Sequence, residues 1–337
     1  MHFHIVLLPT WFEGLDPPFP VYYRNVMEQA ELAEELGFEC FWFTEHHFIP
    51  YGGPVPNPAM FITAGAARTT RLRFGCSVSV LPLHHPLQIA EDYAIADALS
   101  NGRLEFGIGV GNNVREYQGF GVPMDEGRAR FEEILDVVTR VWAGGPVSHH
   151  GTFWQFDDVE LFPKPAQQPH PPIWIAGLTP QTLARAGGQG YNVMTVAHVR
   201  PGEEIRPGVT AWREGLAKAG YQMGERHCLI HMRVHVGENT EQAREVGKSA
   251  VFRYDTISGT SLRRERPSWD SYDWDGMLAQ GRNLYGNPDD VIALMQNTMR
   301  HFDFDTWGMQ FYYGGIPHEE AIRAMRLFAR EVMPAFR

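Results

Sequence analysis

Short apolar runs alternate with longer amphipathic segments along almost the whole chain, and this alternation constrains the fold more than any other feature. The apolar runs have the length and composition of buried strands, whereas the amphipathic segments repeat apolar residues at helical spacing. Eight strands are predicted, each followed by a helix: 3–8, 40–44, 73–80, 104–110, 173–176, 192–196, 229–236 and 306–312. Such alternation gives right-handed crossovers and parallel strands. Eight units in 337 residues favour a closed (β/α)8 TIM barrel, with 1–337 as one domain.

Two stretches interrupt the repeat. Residues 146–165 contain two short strand-like runs, 147–151 and 152–156, which predict a small hairpin. Residues 252–286 are polar, aromatic and irregular, and they predict a lid-like insertion because long loops in compact domains usually carry function. Passive surface decoration is the alternative for this second segment.

The charge balance excludes two classes of partner. The formal net charge is −11, so nucleic acid and anionic membranes, which need clustered positive charge, are not predicted partners. The dense basic run Arg263-Arg264-Glu265-Arg266 is short and interrupted, and it is interpreted as a solvated loop. Cys40, Cys76 and Cys228 lie far apart in apolar runs, as expected for buried thiols in a reducing compartment. With no signal peptide and no apolar run of membrane-spanning length, a soluble cytoplasmic protein is expected.

The triplet Glu45-His46-His47 follows the second strand, at the end of the barrel where active sites lie. Imidazole titrates near neutral pH and suits proton transfer, and a neighbouring carboxylate could orient a ring. His84-His85 and His149-His150 also occur, so a histidine pair alone is not specific, and a hydrogen-bonded loop histidine is the alternative. The strand-end position favours Glu45-His46-His47 as the centre of the chemistry.

The other strand histidines do not predict a metal site. His2 and His4 form a His-x-His pattern typical of metal hydrolases, but they begin the first strand and so lie at the opposite end of the barrel. His231 and His235 share one side of the seventh strand and have no evident carboxylate partners. A metal-dependent hydrolase is therefore the weaker alternative.

Two glycine-containing strand ends are candidate ligand sites. Gly107–Gly111 is similar to a dinucleotide fingerprint, but its third glycine comes early and Asn112-Asn113 follow where a helix should begin. Close approach of a ligand to the backbone and plain tight turning both explain this run. Ala176–Pro180 joins the fifth strand to a helix N-terminus, whose free N–H groups suit a phosphate.

Taken together, these motifs resemble the bacterial luciferase-like, flavin-dependent monooxygenase family. The second-strand segment Phe41–Phe48 carries the most specific part of the resemblance. The other matching motifs follow in the family's order: Asn57-Pro58, Leu81-Pro82 with His85-Pro86, Ala90-Glu91-Asp92, Ser100–Leu104, Phe120-Gly121-Val122, Gly286–Asp290 and Val332-Met333-Pro334.

The resemblance implies a TIM barrel that binds reduced FMN from a separate flavin reductase and forms a peroxyflavin, which oxidises a small, apolar organic substrate. It also implies a homodimer. By motif position, His46 would be the catalytic imidazole, and Glu45 would act with it beside the isoalloxazine ring. The residues expected along the flavin ring, ribityl chain and phosphate are Ser77, Val78, Gly109, Val110, Asn112, Ala176, Gly177, Leu178 and Thr179. The expected substrate pocket contains Trp11, His47 and Phe48.

One position departs from the family pattern. Several members carry an arginine in the fourth-strand motif, where this chain has Val110. Phosphate binding would then depend on backbone N–H groups, the helix end at Thr179 and Arg115, which predicts weak flavin affinity. Two further hypotheses stay open: a deazaflavin-dependent hydride-transfer enzyme on the same barrel, and a non-catalytic flavin-binding subunit. The sequence does not identify the substrate.

Overall fold

The computed structural model describes residues 1–198, 200–222, 224–261, 268–301 and 303–337. The strands are β1 His2–Leu7, β2 Cys40–Phe43, β3 Arg73–Val80, β4 Leu104–Gly109, β5 Val147–His150, β6 Gln155–Val159, β7 Ile173–Ala176, β8 Asn192–Val196, β9 Cys228–Val236, β10 Asn283–Gly286 and β11 Thr306–Gln310. Eight of them form a closed parallel barrel in the order β1-β2-β3-β4-β7-β8-β9-β11, and β11 pairs back onto β1. The predicted (β/α)8 barrel is confirmed.

Helices connect the strands on the outside of the barrel. They are α1 Phe19–Leu36, α2 Pro58–Ala66, α3 Pro86–Leu99, α4 Val114–Phe120, α5 Gly127–Ala143, α6 Pro180–Gly188, α7 Gly202–Lys218, α8 Thr240–Ser261, α9 Trp274–Ala279, α10 Pro288–Met299 and α11 His318–Leu327. The side chains of Asn57, Thr179 and Asn287 accept hydrogen bonds from backbone N–H groups in the first turns of α2, α6 and α10. These caps fix the helix starts that the Asn-Pro and Thr-Pro pairs predict.

The two interruptions have different outcomes. The predicted hairpin is confirmed, since β5 and β6 pair in an antiparallel arrangement. The prediction that 252–286 is irregular is wrong over 252–261 and 274–286, whereas its role as a lid stays a prediction. Helix α8 continues to Ser261, and β10 adds a ninth parallel strand beside β9, with Asn283 opposite Arg233. The basic run 263–266 lies outside the described residues.

At its N-terminal end the interior of the barrel is packed by two tryptophans, each paired with a buried polar group. The Trp42 indole N–H donates to Nδ1 of His4 at 3.0 Å, and the Trp174 indole N–H donates to the buried Glu105 carboxylate at 2.6 Å. Burial lowers the pKa of His4 to about 3, so this imidazole is neutral. His4 therefore completes the packing at the bottom of the barrel, away from the strand ends that carry function.

The described parts of the chain contain no cluster of three or more histidine, cysteine, aspartate or glutamate side chains that could hold a metal ion. None of the helices within them is both long and apolar enough to cross a membrane. All three cysteines are buried thiols.

Candidate active site

A cavity of about 970 Å³ opens at the C-terminal ends of the barrel strands. One wall is largely apolar and includes Val78, Ala176, Leu178 and Met194 from β3, β7, β8 and the loop after β7. The remaining lining includes aromatic and charged side chains from β9, α8 and the segment around α9. Cavities of this size and mixed lining bind cofactors and small substrates.

His46 contributes an imidazole to the cavity wall. Its Nδ1 lies 2.8 Å from Oε1 of Glu116, and its ring packs against Tyr51 with 5.1 Å between ring centroids. The His46 side chain is 19% exposed, whereas that of Glu116 is 1% exposed. Because the carboxylate accepts a proton donated by Nδ1, the ring is held in the tautomer whose Nε2 exchanges protons.

Glu116 is a site residue that the sequence did not predict. It lies in the first turn of α4, which begins where the Asn113 side chain accepts from the backbone N–H of Arg115. Its Oε1 also accepts from the backbone N–H of His47 at 3.0 Å. Glu116 thus fixes both the imidazole of His46 and the backbone that carries it. The usable signal was an acidic residue just after an asparagine helix cap.

Glu45 lies behind the cavity wall rather than in it. Its carboxylate is fully buried and has four partners: the His47 ring (3.0 Å), the His84 ring (2.7 Å), the Ser79 hydroxyl (2.9 Å) and the backbone N–H of Val80 (3.2 Å). Burial alone would raise the pKa of Glu45, but the charge of His84 and hydrogen bonds from both histidines lower it to about 2. This geometry positions the β2 and β3 strand ends, and the cavity lining does not include Glu45.

The three residues expected in the substrate pocket lie outside the cavity lining. The His47 ring turns toward Glu45 and packs edge-on against Phe120, with 4.7 Å between centroids. Phe48 has a positive φ of 63° and is 66% exposed. Trp11 stacks on Phe19 and donates its indole N–H to a backbone carbonyl. Of the triplet, the cavity lining includes His46 and neither Glu45 nor His47.

The residues expected at the flavin divide into two groups. Five line the cavity: Ser77, Val78, Asn112, Ala176 and Leu178. The other four, which the cavity lining does not include, are Gly109, Val110, Gly177 and Thr179.

Packing explains the glycine run on β4. A Cβ at Gly107 would overlap the carbonyl oxygen of Cys76, and one at Gly109 would overlap the Val78 side chain. These glycines allow close contact between β3 and β4, so the glycine run has a packing role in the barrel. The Val110 carbonyl oxygen accepts from the Tyr117 hydroxyl at 2.6 Å.

Helix α8 and strand β9 supply cavity residues that the sequence did not predict. Arg233 of β9 and Tyr254 and Asp255 of α8 line the cavity, together with Tyr272 just before α9. The Arg233 guanidinium lies 3.0 Å from Asp255, whose second oxygen accepts from the Tyr272 hydroxyl at 3.0 Å. These residues explain why the second half of α8 resembled a loop: its inner face meets a polar cavity, so the apolar periodicity of a helix stops.

Comparison with known proteins identifies the family. The model of luciferase-like monooxygenases matches residues 1–300. The chain belongs to this family. Among solved structures, the monooxygenase RslO1 from Streptomyces bottropensis is 34% identical, with a TM-score of 0.93 and coverage of 100% of both chains. The oxygenase component of the flavin-dependent trigonelline monooxygenase of Acinetobacter baylyi is 28% identical over 93% of this chain and 90% of its own length.

Other relatives of this luciferase-like protein widen the range of activities. Protein y4vJ of Sinorhizobium fredii, which is uncharacterised, is 38% identical over 174 residues, so the match spans about half of each protein (52% and 49%). The F420-dependent glucose-6-phosphate dehydrogenase of Microbacterium testaceum is 28% identical over 93% of this chain and 94% of its own length. The family therefore includes both monooxygenases and F420-dependent oxidoreductases.

Proposed function

We propose that this protein is the oxygenase component of a two-component monooxygenase, which uses reduced FMN and molecular oxygen to oxidise a small organic substrate. The observation that carries the proposal is His46, which is oriented by Glu116 and lines a 970 Å³ cavity together with the apolar side chains of Val78, Ala176 and Met194. A flavin ring needs an apolar surface, and flavin-dependent oxygenation needs a group that exchanges protons beside it. Named flavin-dependent monooxygenases among its relatives support this assignment.

The donor set of the cavity fits FMN. Val78 and Ala176 would lie along the isoalloxazine ring, and Asn112 would reach the ribityl chain. The phosphate would be bound by the N-terminus of α6 at Thr179 and by Arg200, a cationic side chain that lines the cavity after β8. Arg200 would then supply the charge that Val110 lacks on β4.

The cofactor would supply the electrons that activate oxygen, and the protein's own residues would supply the remaining functions. Glu116 holds Nδ1 of His46, so that Nε2 gives or takes the proton that the oxygenation requires. Glu45 acts as a positioning residue, because its hydrogen bonds fix the strand ends of β2 and β3. Tyr254 and Tyr272 limit the access of water from the α8 side of the cavity.

Oxygen uptake with reduced FMN provides the first test. We expect reduced FMN to bind and to support oxygen uptake that is coupled to product formation across a panel of substrates, with a separate flavin reductase as the source of reduced FMN. We also propose that the protein is a homodimer, which sedimentation analysis would test. No binding of FMN in either redox state would contradict the assignment.

One alternative keeps the same site and changes the cofactor. A deazaflavin, F420, would transfer hydride without oxygen, and an F420-dependent relative supports this hypothesis. Titration of FMN and F420 side by side separates the two, because turnover of F420 with no oxygen uptake would replace the monooxygenase assignment. A non-catalytic flavin-binding subunit is the remaining alternative, and substitution of His46 tests it.

A further inference from the structure

Four buried polar side chains on two adjacent strands face the cavity without complete hydrogen bonding. Thr195 lies on β8 and His198 follows it, while His231 and Arg233 lie on β9, and all four line the cavity. The Thr195 hydroxyl, Nδ1 of His198, Nε2 of His231 and Nε of Arg233 have no hydrogen-bond partner among the described residues. Buried polar atoms rarely stay unpaired in a folded protein, so this polar arc (Thr195, His198, His231, Arg233) offers unused hydrogen-bonding groups to a ligand in the cavity.

Only Arg233 in the polar arc carries a charge. Burial lowers the pKa of His231 to about 3 and lowers the pKa of His198 well below its ordinary value, and the nearby Arg233 charge adds to both shifts. Both imidazoles are therefore neutral, and their rings meet edge-on with 4.9 Å between centroids. A permanent cation surrounded by a hydroxyl and two neutral rings is suited to an oxygen anion.

The guanidinium is held in place and keeps donors to spare. Its Nη2 donates to Asp255 at 3.0 Å, and its central carbon lies 4.2 Å above the Tyr254 ring. Asp255 also accepts a hydrogen bond from the Tyr272 hydroxyl at 3.0 Å. The hydrogen bond to Asp255 orients the Arg233 guanidinium and uses one of its five N–H donors. The cavity lining holds three arginines (Arg200, Arg233 and Arg282) and two aspartates (Asp255 and Asp273). These side chains leave an excess of positive charge at the cavity, although the net charge of the chain is −11.

We propose that the polar arc binds the carboxylate group of the substrate, and that the substrate is an aromatic acid. This inference rests on the proposed monooxygenase function and revises the expectation of an apolar substrate. Tyr51 and Tyr254 supply aromatic surface between the arc and the reaction centre: their hydroxyls are 3.2 Å apart, and Tyr51 packs on His46. Aromatic side chains of this kind stack on a planar substrate.

The position of the arc favours the substrate over the flavin phosphate as the source of the anion. Arg233 contacts Tyr254, Tyr254 contacts Tyr51, and Tyr51 contacts the His46 ring, so the arc adjoins the group that exchanges protons. An anion bound by Arg233 would hold the rest of the substrate toward His46.

Matched acids and esters test the proposal. Benzoate, 2-naphthoate and anthracene-2-carboxylate, each with its methyl ester, are titrated calorimetrically into the full-length protein, with and without FMN. We expect at least one acid to bind about tenfold more tightly than its ester, because a charge-assisted hydrogen bond is lost with the ester. The double variant R233M/D255N, which leaves no unpaired charge, should reduce this ratio to less than about threefold while changing the Kd of FMN by less than about twofold.

Three results would overturn the proposal. The wild-type protein could bind every ester as well as its acid, the double variant could keep the preference for the acid, or the double variant could weaken FMN about tenfold, which would assign the anion to the flavin phosphate. The exposed Arg68, which pairs with Glu31 on the surface, gives the control R68M, which should keep the wild-type ratio. The acid-to-ester ratio of the wild-type protein decides the matter even if the double variant does not fold. Because the ratio is also measured without FMN, its failure is distinct from a failure to bind flavin.

Discussion

The imidazole Nδ1 of His46 lies 2.8 Å from the carboxylate of Glu116, a residue 70 positions further along the chain. The contact joins the end of the second strand to the short helix after the fourth strand. A buried carboxylate that orients an imidazole and stabilises its protonated form is a common arrangement in proton-transfer sites. The first two predictions test each half of this pair.

Replacing the imidazole should uncouple the reaction. In H46N we expect product formation to fall about 100-fold or more, because positioned acid–base groups typically contribute 10²–10⁴-fold. Oxygen uptake should continue and be recovered as hydrogen peroxide, measured with a peroxidase assay beside product analysis. The exposed His150, which pairs with Asp157, provides the control H150N, which should behave as wild type. Unchanged coupling in H46N would remove His46 from the mechanism.

Replacing the orienting carboxylate should lower kcat and leave the flavin in place. In E116Q the amide can still accept from Nδ1, but its charge is lost, so we expect kcat to fall about 10-fold to 100-fold with little change in the Kd of FMN. Stopped-flow turnover and flavin titration measure the two quantities. The matched control is E35Q, at an exposed residue paired with Arg326. A change in KM alone would show that Glu116 acts on binding instead.

The buried carboxylate of Glu45 should make the protein sensitive to acid. The pKa of Glu45, about 2, lies below the ordinary value of 4.5. Its contribution to the free energy of unfolding is therefore present above pH 4.5 and is lost as the pH falls toward 2. The difference corresponds to about 3 kcal/mol of unfolding free energy. Burial lowers the pKa of His84, but the Glu45 carboxylate outweighs burial and raises this pKa above 6.5. The contribution of protonated His84 to the free energy of unfolding is therefore full below pH 6.5 and is lost as the pH rises through the raised pKa.

Urea unfolding of E45Q checks this dependence. At pH 5.5 we expect E45Q to be less stable than wild type by about 3 kcal/mol, since it leaves buried partners of the carboxylate poorly matched. Near pH 3 the two proteins should approach each other, because wild type has lost part of the same contribution. A stability difference that stays constant between pH 3 and pH 5.5 would contradict the assigned pKa of Glu45.

A single methyl group at Gly52 should disable the site sterically. Gly52 has a φ of +75°, and a Cβ there would overlap the imidazole of His46. We therefore expect G52A to lower turnover about 10-fold or more, on top of roughly 1 kcal/mol of destabilisation from alanine at positive φ. Gly145 has a φ of +79° with open space around it, so G145A carries the backbone cost alone. Equal turnover in the two variants would show that His46 moves aside freely.

Local patterns predicted the barrel. The strand positions, the helix starts at Asn57, Thr179 and Asn287 and the β5–β6 hairpin all follow from apolar periodicity, cap chemistry or short-range pairing. Each signal lies within one segment, so a single sequence carries it. The position of His46 at the catalytic end of the barrel followed from the same logic.

Long-range contacts set the limits of prediction. Glu116 lies on a helix of seven residues, too short for periodicity, and its contact with His46 exists only once the barrel closes. The second half of α8 was missed because Tyr254 and Asp255 face a polar cavity, where the usual apolar stripe is absent. Glu45 and His47 share a motif with His46, but their side chains hydrogen-bond to each other and do not line the cavity.

Arg233 and Asp255 are 22 residues apart and belong to one strand–helix unit, β9 with α8, whereas His46 and Glu116 belong to the second and fourth units. The cation of the polar arc and its aspartate partner are thus carried on a different module from the residues that would move the proton. Exchanging the β9–α8 module should therefore alter the preference for an anion while the His46–Glu116 pair keeps its residues.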